Sequence, residues 1–388
     1  MSGVLTQGPL FIICLVLMLG IVVVIHELGH YLAGRWFGAA AESFSVGFGS
    51  PIFERKDKRN TRWRINWIPL GGFVKFVGEP QAPGDVGRLE DGPVGKAYTE
   101  LGPGARSIVA IAGPAANFLL AIVLFALIFW ATGTPRERLA VVDVQQGGPA
   151  AEAGLLPGDK IAAVKGKPIE NRMDLLLPVQ LGSGEPIDVT VLRDEQEVAL
   201  TVTPERRWRD NGVGQQQPLG TIGVEFSVEQ LERRTYNPAT ALVAGTQETG
   251  HTISMTVNMI GRIFTGREPI SNLSGPVGIG DVTRRVVNRT MEVEDVSLSR
   301  RLEALGWTAL RICALVSVGI GLFNLLPLPV LDGGHLVFNA YEAVTGKALP
   351  EKIQGASLTA GLILLIGLFV VVTWSDILET GVLSATGN

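Results

Sequence analysis

The chain is more apolar and less charged than an ordinary soluble protein. It has 388 residues, of which 46% are hydrophobic and 18% are charged, with a net charge of -4. The length suits two or three structural units, the composition favours a membrane protein, and the mild charge argues against nucleic acid as a partner. The two cysteines, Cys14 and Cys313, lie in apolar runs, which excludes a disulfide framework and a cysteine-based metal site.

The first element is an apolar segment over residues 10–37, within which residues 10–25 carry no charge. It has neither a basic start nor a small-residue cleavage pattern, so we interpret it as a retained membrane span and not as a signal peptide. At 1.5 Å per residue it is long enough to cross a bilayer as one helix.

Near the end of this span lies a His-Glu-x-x-His pattern, which uses two of the four histidines in the chain. On a helix, His26 and His30 share one face and can bind one metal ion together. Glu27 lies beside them and is near enough to act as general base on a metal-bound water. Ionisable groups at membrane depth are functional candidates, since they are costly in lipid.

Residues 43–76 alternate between apolar and polar residues and predict a small antiparallel sheet beside the first span, with a turn at Pro69 and Gly71-Gly72. The sheet is either a plain hairpin or an edge strand that pairs with an extended substrate. In the second span, Gly113-Pro114 permits close helix packing, and Asn117 is an isolated amide. Asn117 makes either a helix–helix hydrogen bond or a contact to the substrate or active site.

The region that follows is soluble in character. It resembles a bacterial-type PDZ domain in residues 149–161 and in Val164-Lys165-Gly166, and a PDZ groove binds an extended peptide by strand addition. Its predicted elements are strands at 141–144, 160–164, 187–193 and 198–204, and a helix at 173–181. A polar linker with one strand at 221–226 follows, and then an amphipathic helix at 240–264 and a second helix at 277–290.

The third span ends in Asn324-x-x-Pro327-x-Pro329-x-Leu331-Asp332-Gly333-Gly334-His335, and its prolines predict a broken helix. A hydrolytic zinc site takes three protein ligands and leaves one position for water. Asp332 is the preferred third ligand, with His335 as the alternative. Asn324 either hydrogen-bonds substrate backbone or caps the broken helix.

The predicted fold class is therefore a polytopic α-helical membrane protein with four transmembrane helices, a membrane-associated β-hairpin or sheet, and one inserted periplasmic PDZ domain. The predicted segments are a first span with the His-Glu-x-x-His pattern (1–38), a cytoplasmic-side sheet loop (39–105), a second span (106–132), the PDZ domain (133–205), a linker with membrane-proximal amphipathic helices (206–304), a third span (305–335), a cytoplasmic loop (336–356), a fourth span (357–376) and a tail (377–388).

The distribution of basic residues predicts the orientation. Residues 35–106 contain eleven Lys and Arg, whereas the first nine and the last thirteen residues contain none. The positive-inside rule places the 38–105 segment in the cytoplasm, and both termini and the PDZ-like region outside. The two polar motifs then meet near the cytoplasmic side, which supports one shared site.

With these motifs the chain resembles the site-2 proteases, the intramembrane zinc metalloproteases, and most closely the sigma-E-regulating Rse-type branch. The markers include Gly113-Pro114-x-x-Asn117 and Asn272-Leu-Ser-Gly-Pro276 besides the two polar motifs. The resemblance implies Zn²⁺ held by His26, His30 and Asp332, with Glu27 catalytic. The predicted substrate contacts are Asn324, Pro327, Asn117, Gly72 and Phe73.

The resemblance also implies partners and a location. The substrates are single-span membrane proteins of the anti-sigma-factor type after a first cut, and signal-peptide remnants. The PDZ groove takes a peptide or a processed substrate terminus, and the protein lies in the bacterial inner membrane. Only one PDZ domain is found, where well-known members carry two. Two alternatives are a membrane-anchored PDZ adaptor or chaperone with a non-catalytic metal site, and a metal transporter, which requires ligands along a path.

Overall fold

The computed structural model of the protein describes residues 2–78, 92–210, 216–266, 278 and 297–380. The helices are α1 (Ser2–Trp36), α2 (Pro103–Thr132), α3 (Pro149–Glu152), α4 (Met173–Leu181), α5 (Pro238–Phe264), α6 (Leu298–Asn324), α7 (Asp332–Thr345) and α8 (Glu351–Thr380). The strands are β1 (Ala41–Lys56), β2 (Arg62–Phe76), β3 (Thr134–Val144), β4 (Lys160–Val164), β5 (Lys167–Pro168), β6 (Ile187–Arg193), β7 (Gln196–Val202), β8 (Glu205–Asp210), β9 (Gln216–Thr221) and β10 (Val224–Arg234). Two units follow from the packing, one of Met1–Ile128 with Pro238–Asn388 and one of Phe129–Asn237.

In the first unit, α1, α2, α6 and α8 are long and apolar enough to cross a membrane. Large apolar side chains such as Leu119, Val123 and Ile363 are exposed on them. Lipid accommodates such surfaces, whereas water does not. The four predicted spans thus correspond to four helices, although α6 ends at Asn324 and not at residue 335, because Pro327 and Pro329 cannot continue it.

Strands β1 and β2 form an antiparallel two-stranded sheet. The predicted turn at 69–72 is wrong, since β2 continues through it. The first half of β1 pairs twice, so that Ser43 lies opposite both Lys75 and Arg62. The end of β2 pairs only with β1 within the described part of the chain, which leaves its other edge facing α1.

A shared apolar cluster holds this sheet against α1 and α2. Tyr31 of α1, Phe44 of β1, Phe76 of β2 and Val109 of α2 are all buried in it. Gly34 allows the close approach, because a Cβ there would lie 2.4 Å from the Phe76 ring. The sheet edge is therefore fixed beside the helix that carries the His-Glu-x-x-His pattern.

The second unit is a sheet of order β10-β3-β4-β6-β7, with β5 paired to β4 and a separate β8–β9 hairpin. Its core comprises inward-facing apolar side chains of the strands and of α4, among them Leu139, Leu175, Ile187, Val189 and Val191. The predicted strands 160–164 and 187–193 and the predicted helix 173–181 are confirmed to the residue.

The linker predicted to begin at residue 206 needs a correction. Residues 205–210, 216–221 and 224–234 form β8, β9 and β10, and β10 pairs with β3 from Val224–Val144 to Arg234–Thr134. The predicted strand at 221–226 overlaps only the last residue of β9 and the first three residues of β10. Strands with one exposed face tolerate a polar composition, which hid the rest of these strands in the sequence. The amphipathic helix is confirmed as α5. The Asn272–Pro276 motif and the second predicted helix at 277–290, apart from residue 278, lie outside the described residues.

A buried ion pair stabilises the second unit. The carboxylate of Asp159 is 1% exposed and accepts bonds from Arg193 Nε and Nη2 at 2.8 and 2.7 Å and from the Leu156 amide at 2.9 Å. The bonds from Arg193 hold the pKa of Asp159 below its ordinary value, although burial opposes them. We expect Asp159→Asn to destabilise this unit by about 2–3 kcal/mol.

The measurement is hydrogen exchange of the β4 and β6 amides in the full-length protein. Because the folded pKa is depressed, the ion pair contributes fully above the unfolded pKa of about 3.9, and the contribution is lost as the pH falls through the lower folded value. Asp194→Asn, in the exposed turn next to Arg193, is the matched control and should leave exchange unchanged. Equal exchange in the two variants would contradict the prediction.

Candidate metal centre

Helix α1 presents His26 and His30 toward α2. The two helices approach closely because both carry glycine at the contact. A Cβ on Gly29 would lie 2.2 Å from the Ala112 carbonyl oxygen, and a Cβ on Gly113 would lie 2.2 Å from Nε2 of His30. The space in which the two imidazoles lie therefore exists only because residue 113 has no side chain.

Asp332 reaches the same place from the other direction. Helix α6 ends at Asn324, and after the two prolines the chain folds back and begins α7 at Asp332. Gly333 and Gly334 permit this return, because a Cβ on either would lie 2.2–2.3 Å from the carbonyl oxygen of Leu326 or Leu328. The broken helix predicted from the prolines is confirmed.

Three ligand atoms converge. Nε2 of His26 lies 3.1 Å from Nε2 of His30, and Oδ2 of Asp332 lies 3.2 and 3.3 Å from these two nitrogens. Ligand atoms that share a tetrahedral zinc at about 2.0–2.1 Å are about 3.3 Å apart. Oδ2 of Asp332 is also buried without a hydrogen-bond donor in the described part of the chain. The atom types and their spacing are those of zinc ligands, so the three residues fit a zinc ion.

Within the described part of the chain, His26, His30 and Asp332 form a cluster that could hold a metal ion, which we call the metal-type cluster. His335 is not a member of it. His335 lies three residues farther along α7, lines the neighbouring cavity and packs its ring edge-on to Phe338. The geometry thus supports the preferred third ligand of the sequence analysis over its alternative.

Both histidine rings are oriented from α2. Nδ1 of His30 lies 2.8 Å from the carbonyl oxygen of Val109, and Nδ1 of His26 lies 3.3 Å from Nδ2 of Asn117. Such partners fix the ring orientation and the tautomer of a metal-binding histidine. Val109 acts through its backbone, so its side chain provides no signal in the sequence.

Glu27 faces the outer edge of β2. Its Oε2 accepts a hydrogen bond from the backbone N–H of Val74 at 3.0 Å. A Cβ on Gly72 would lie 3.5 Å from Cγ of Glu27 and 2.8 Å from the Ser45 carbonyl oxygen, so this position requires a glycine. The carboxylate therefore lies between the metal-type cluster and the sheet edge.

A cavity of about 260 Å³ joins these groups. Of the predicted substrate contacts, Phe73 and Asn324 line it, whereas Pro327 and Asn117 are not among its lining residues. Asn324 also donates from Nδ2 to the Ile320 carbonyl oxygen at 3.1 Å, one turn back in α6. Other residues line the cavity that the sequence did not predict as part of the site; they are Val74, Phe76, Tyr98, Val109, Ala110, Val330 and Leu331.

A centre of this composition is typical of metal-dependent hydrolases, and its position on helices apolar enough to cross a bilayer narrows the class to membrane-embedded ones. The model of Peptidase family M50 matches residues 14–368. A protein of Agrobacterium fabrum is 37% identical over 375 residues, which cover 95% of each chain. Metalloprotease MmpA of Caulobacter vibrioides is 36% identical, again over 95% of each chain. Zinc metalloprotease RasP of Geobacillus kaustophilus is 29% identical over 94% of this chain and 97% of RasP.

The chain therefore belongs to Peptidase family M50, the site-2 protease family. It is a multi-pass membrane protein and a zinc metalloprotease, with Zn²⁺ as its cofactor. The resemblance to the site-2 proteases, inferred from the motifs, is confirmed. Because the chain is a zinc metalloprotease, the two alternatives of a non-catalytic adaptor and a metal transporter are set aside.

Proposed function

We propose that this protease hydrolyses peptide bonds within the membrane-spanning segments of single-span proteins, with zinc held by His26, His30 and Asp332. The observation that carries the proposal is the convergence of three ligand atoms within 3.1–3.3 Å of one another, next to a carboxylate and a sheet edge. Zinc, when bound, activates a water molecule and polarises the scissile carbonyl.

Glu27 is the general base and later the general acid. It lies directly after His26 in α1, beside the ligands, and lines the same cavity. It takes the proton of the attacking water and delivers it to the amine that leaves. The Val74 N–H holds Oε2 in place, which orients the carboxylate before the substrate arrives.

The outer edge of β2 receives the substrate. A helical substrate hides its carbonyl groups in its own hydrogen bonds, so hydrolysis requires local unwinding. An unwound segment that adds to this edge as a strand satisfies its backbone and lies along Phe73 toward the cluster. Gly72 keeps the edge close to Glu27. Asn324, which lines the same cavity, offers an amide to the substrate backbone.

The proposal also covers the second unit, which we interpret as the PDZ-like region and call the PDZ-type unit, and the orientation of the protein in the membrane. Strand β10 ends the sheet order, so its outer edge can accept a peptide or a processed substrate terminus. The basic residues of the 38–105 segment favour a cytoplasmic position for β1 and β2, with the termini and the PDZ-type unit periplasmic and the protein in the bacterial inner membrane. Two substrate classes fit this proposal. They are anti-sigma factors that a first protease has shortened in a stress response, and signal-peptide remnants.

The test is reconstitution of the full-length protein in liposomes with a single-span reporter. We expect mass spectrometry to locate the cut inside the span, a zinc chelator to stop cleavage and added zinc to restore it. A matched reporter whose span is rich in Leu and Ala, and therefore harder to unwind, should be cut more slowly. Cuts confined to the loops outside the span would contradict the proposal.

A further inference from the structure

The side chain of Asn117 is completely buried in the second span, at a place where an amide is costly. It is 0% exposed, and its Oδ1 has no hydrogen-bond partner in the described part of the chain. An apolar side chain of the same size would avoid the loss of a hydrogen bond to water. The atom of this amide that lies nearest to His26 is Nδ2, at 3.3 Å from Nδ1 of the imidazole.

The position of the hydrogen on the His26 imidazole determines whether Asn117 must donate or accept in this contact. A histidine that binds a metal through Nε2 carries its hydrogen on Nδ1 and needs an acceptor there. The two ends of an amide have nearly the same shape and can exchange by a half-turn of the group. With Oδ1 toward His26, the amide supplies the acceptor.

The positions along α2 explain why one helix can serve both ligands. Val109, Gly113 and Asn117 are four residues apart in succession, so they lie on one face of α2. The Val109 carbonyl contacts His30, the missing side chain of Gly113 leaves space for the rings, and Asn117 contacts His26. Ser317 of α6 donates from Oγ to the backbone oxygen of Asn117 at 2.8 Å, which fixes this point of α2.

We propose that Asn117 is a positioning residue for the zinc ligand His26, whose Nδ1–H it accepts through Oδ1. It acts through His26 and does not contact the substrate. The proposal rests on the proposed function, in which His26 binds zinc through Nε2. Removal of such a partner typically weakens metal binding 10- to 100-fold.

The test measures the zinc affinity of the full-length protein in detergent by competition with a chelator. We expect Asn117→Leu to weaken zinc binding about 10- to 100-fold. Asn117→Asp keeps an acceptor toward Nδ1–H and should retain the wild-type affinity or exceed it. Ser317→Ala, which loosens the same helix crossing without touching His26, is the control and should bind zinc as the wild type does.

Three results would overturn the positioning role. These are wild-type affinity in Asn117→Leu, equal weakening in Asn117→Asp and Asn117→Leu, and equal weakening in Ser317→Ala and Asn117→Leu. Failure of the underlying site has a different signature, because Asp332→Asn would then leave the zinc affinity of the protein unchanged. If Asp332→Asn weakens zinc binding but Asn117→Leu does not, the zinc site stands and only the positioning role is wrong.

Discussion

Replacement of Glu27 by Gln is expected to lower the rate of peptide hydrolysis by about 10²- to 10⁴-fold, the usual contribution of a general acid–base group. Gln has nearly the shape of Glu and keeps an oxygen that can accept the Val74 N–H, so the sheet edge should remain in place. The ligands His26, His30 and Asp332 are untouched. The variant should therefore retain one zinc per chain.

The measurement combines cleavage of the single-span reporter in liposomes with the zinc content of the same preparation. Glu229→Gln is the control, since Glu229 forms an exposed ion pair with Arg138 in the second unit. It should cleave at the wild-type rate. Wild-type activity in Glu27→Gln, or loss of its zinc, would remove Glu27 from the proposed role.

Replacement of Gly113 by Ala is expected to abolish zinc binding and cleavage together. The added methyl group would lie 2.2 Å from Nε2 of His30 and 2.9 Å from Cε1 of His26, which is far inside van der Waals contact. Helix α2 is held against α1 on the same face, so the rings have to give way. A displacement of about 1 Å at a catalytic centre can cost about 10²-fold in rate, and here both histidine ligands have to move.

Gly104→Ala is the matched control on the same helix, because a Cβ at residue 104 meets no atom within 4 Å. It should retain zinc and activity, since Ala is the better helix former. Zinc content by metal analysis and reporter cleavage are the two readouts. A Gly113→Ala protein that retains stoichiometric zinc would show that the rings do not occupy the positions described.

Several features could be predicted from local patterns. Long apolar runs predicted the four spans, because a helix that crosses lipid has to be apolar over about 20 residues. The spacing of His26 and His30 predicted a shared face, since helical periodicity depends only on sequence separation. In the second unit, the predicted bounds of β4 and β6 agree with the structure to the residue. Strand β8, most of β9 and most of β10 were not predicted, because their polar and glycine-rich composition resembles a linker.

By itself, the sequence determined the chemistry: two histidines and a glutamate in one span, an aspartate after a proline break, and therefore a metal-dependent hydrolase. Only the tertiary structure decided the arrangement around them. It brings Asp332, and not His335, into the cluster with both imidazoles. It places the Val74 N–H of β2 against Glu27, and it places Gly113 and Asn117 of α2 beside the two imidazoles. The physical reason is that these contacts join residues from 47 to about 300 positions apart, and such distances depend on how helices and strands pack, which no local pattern contains.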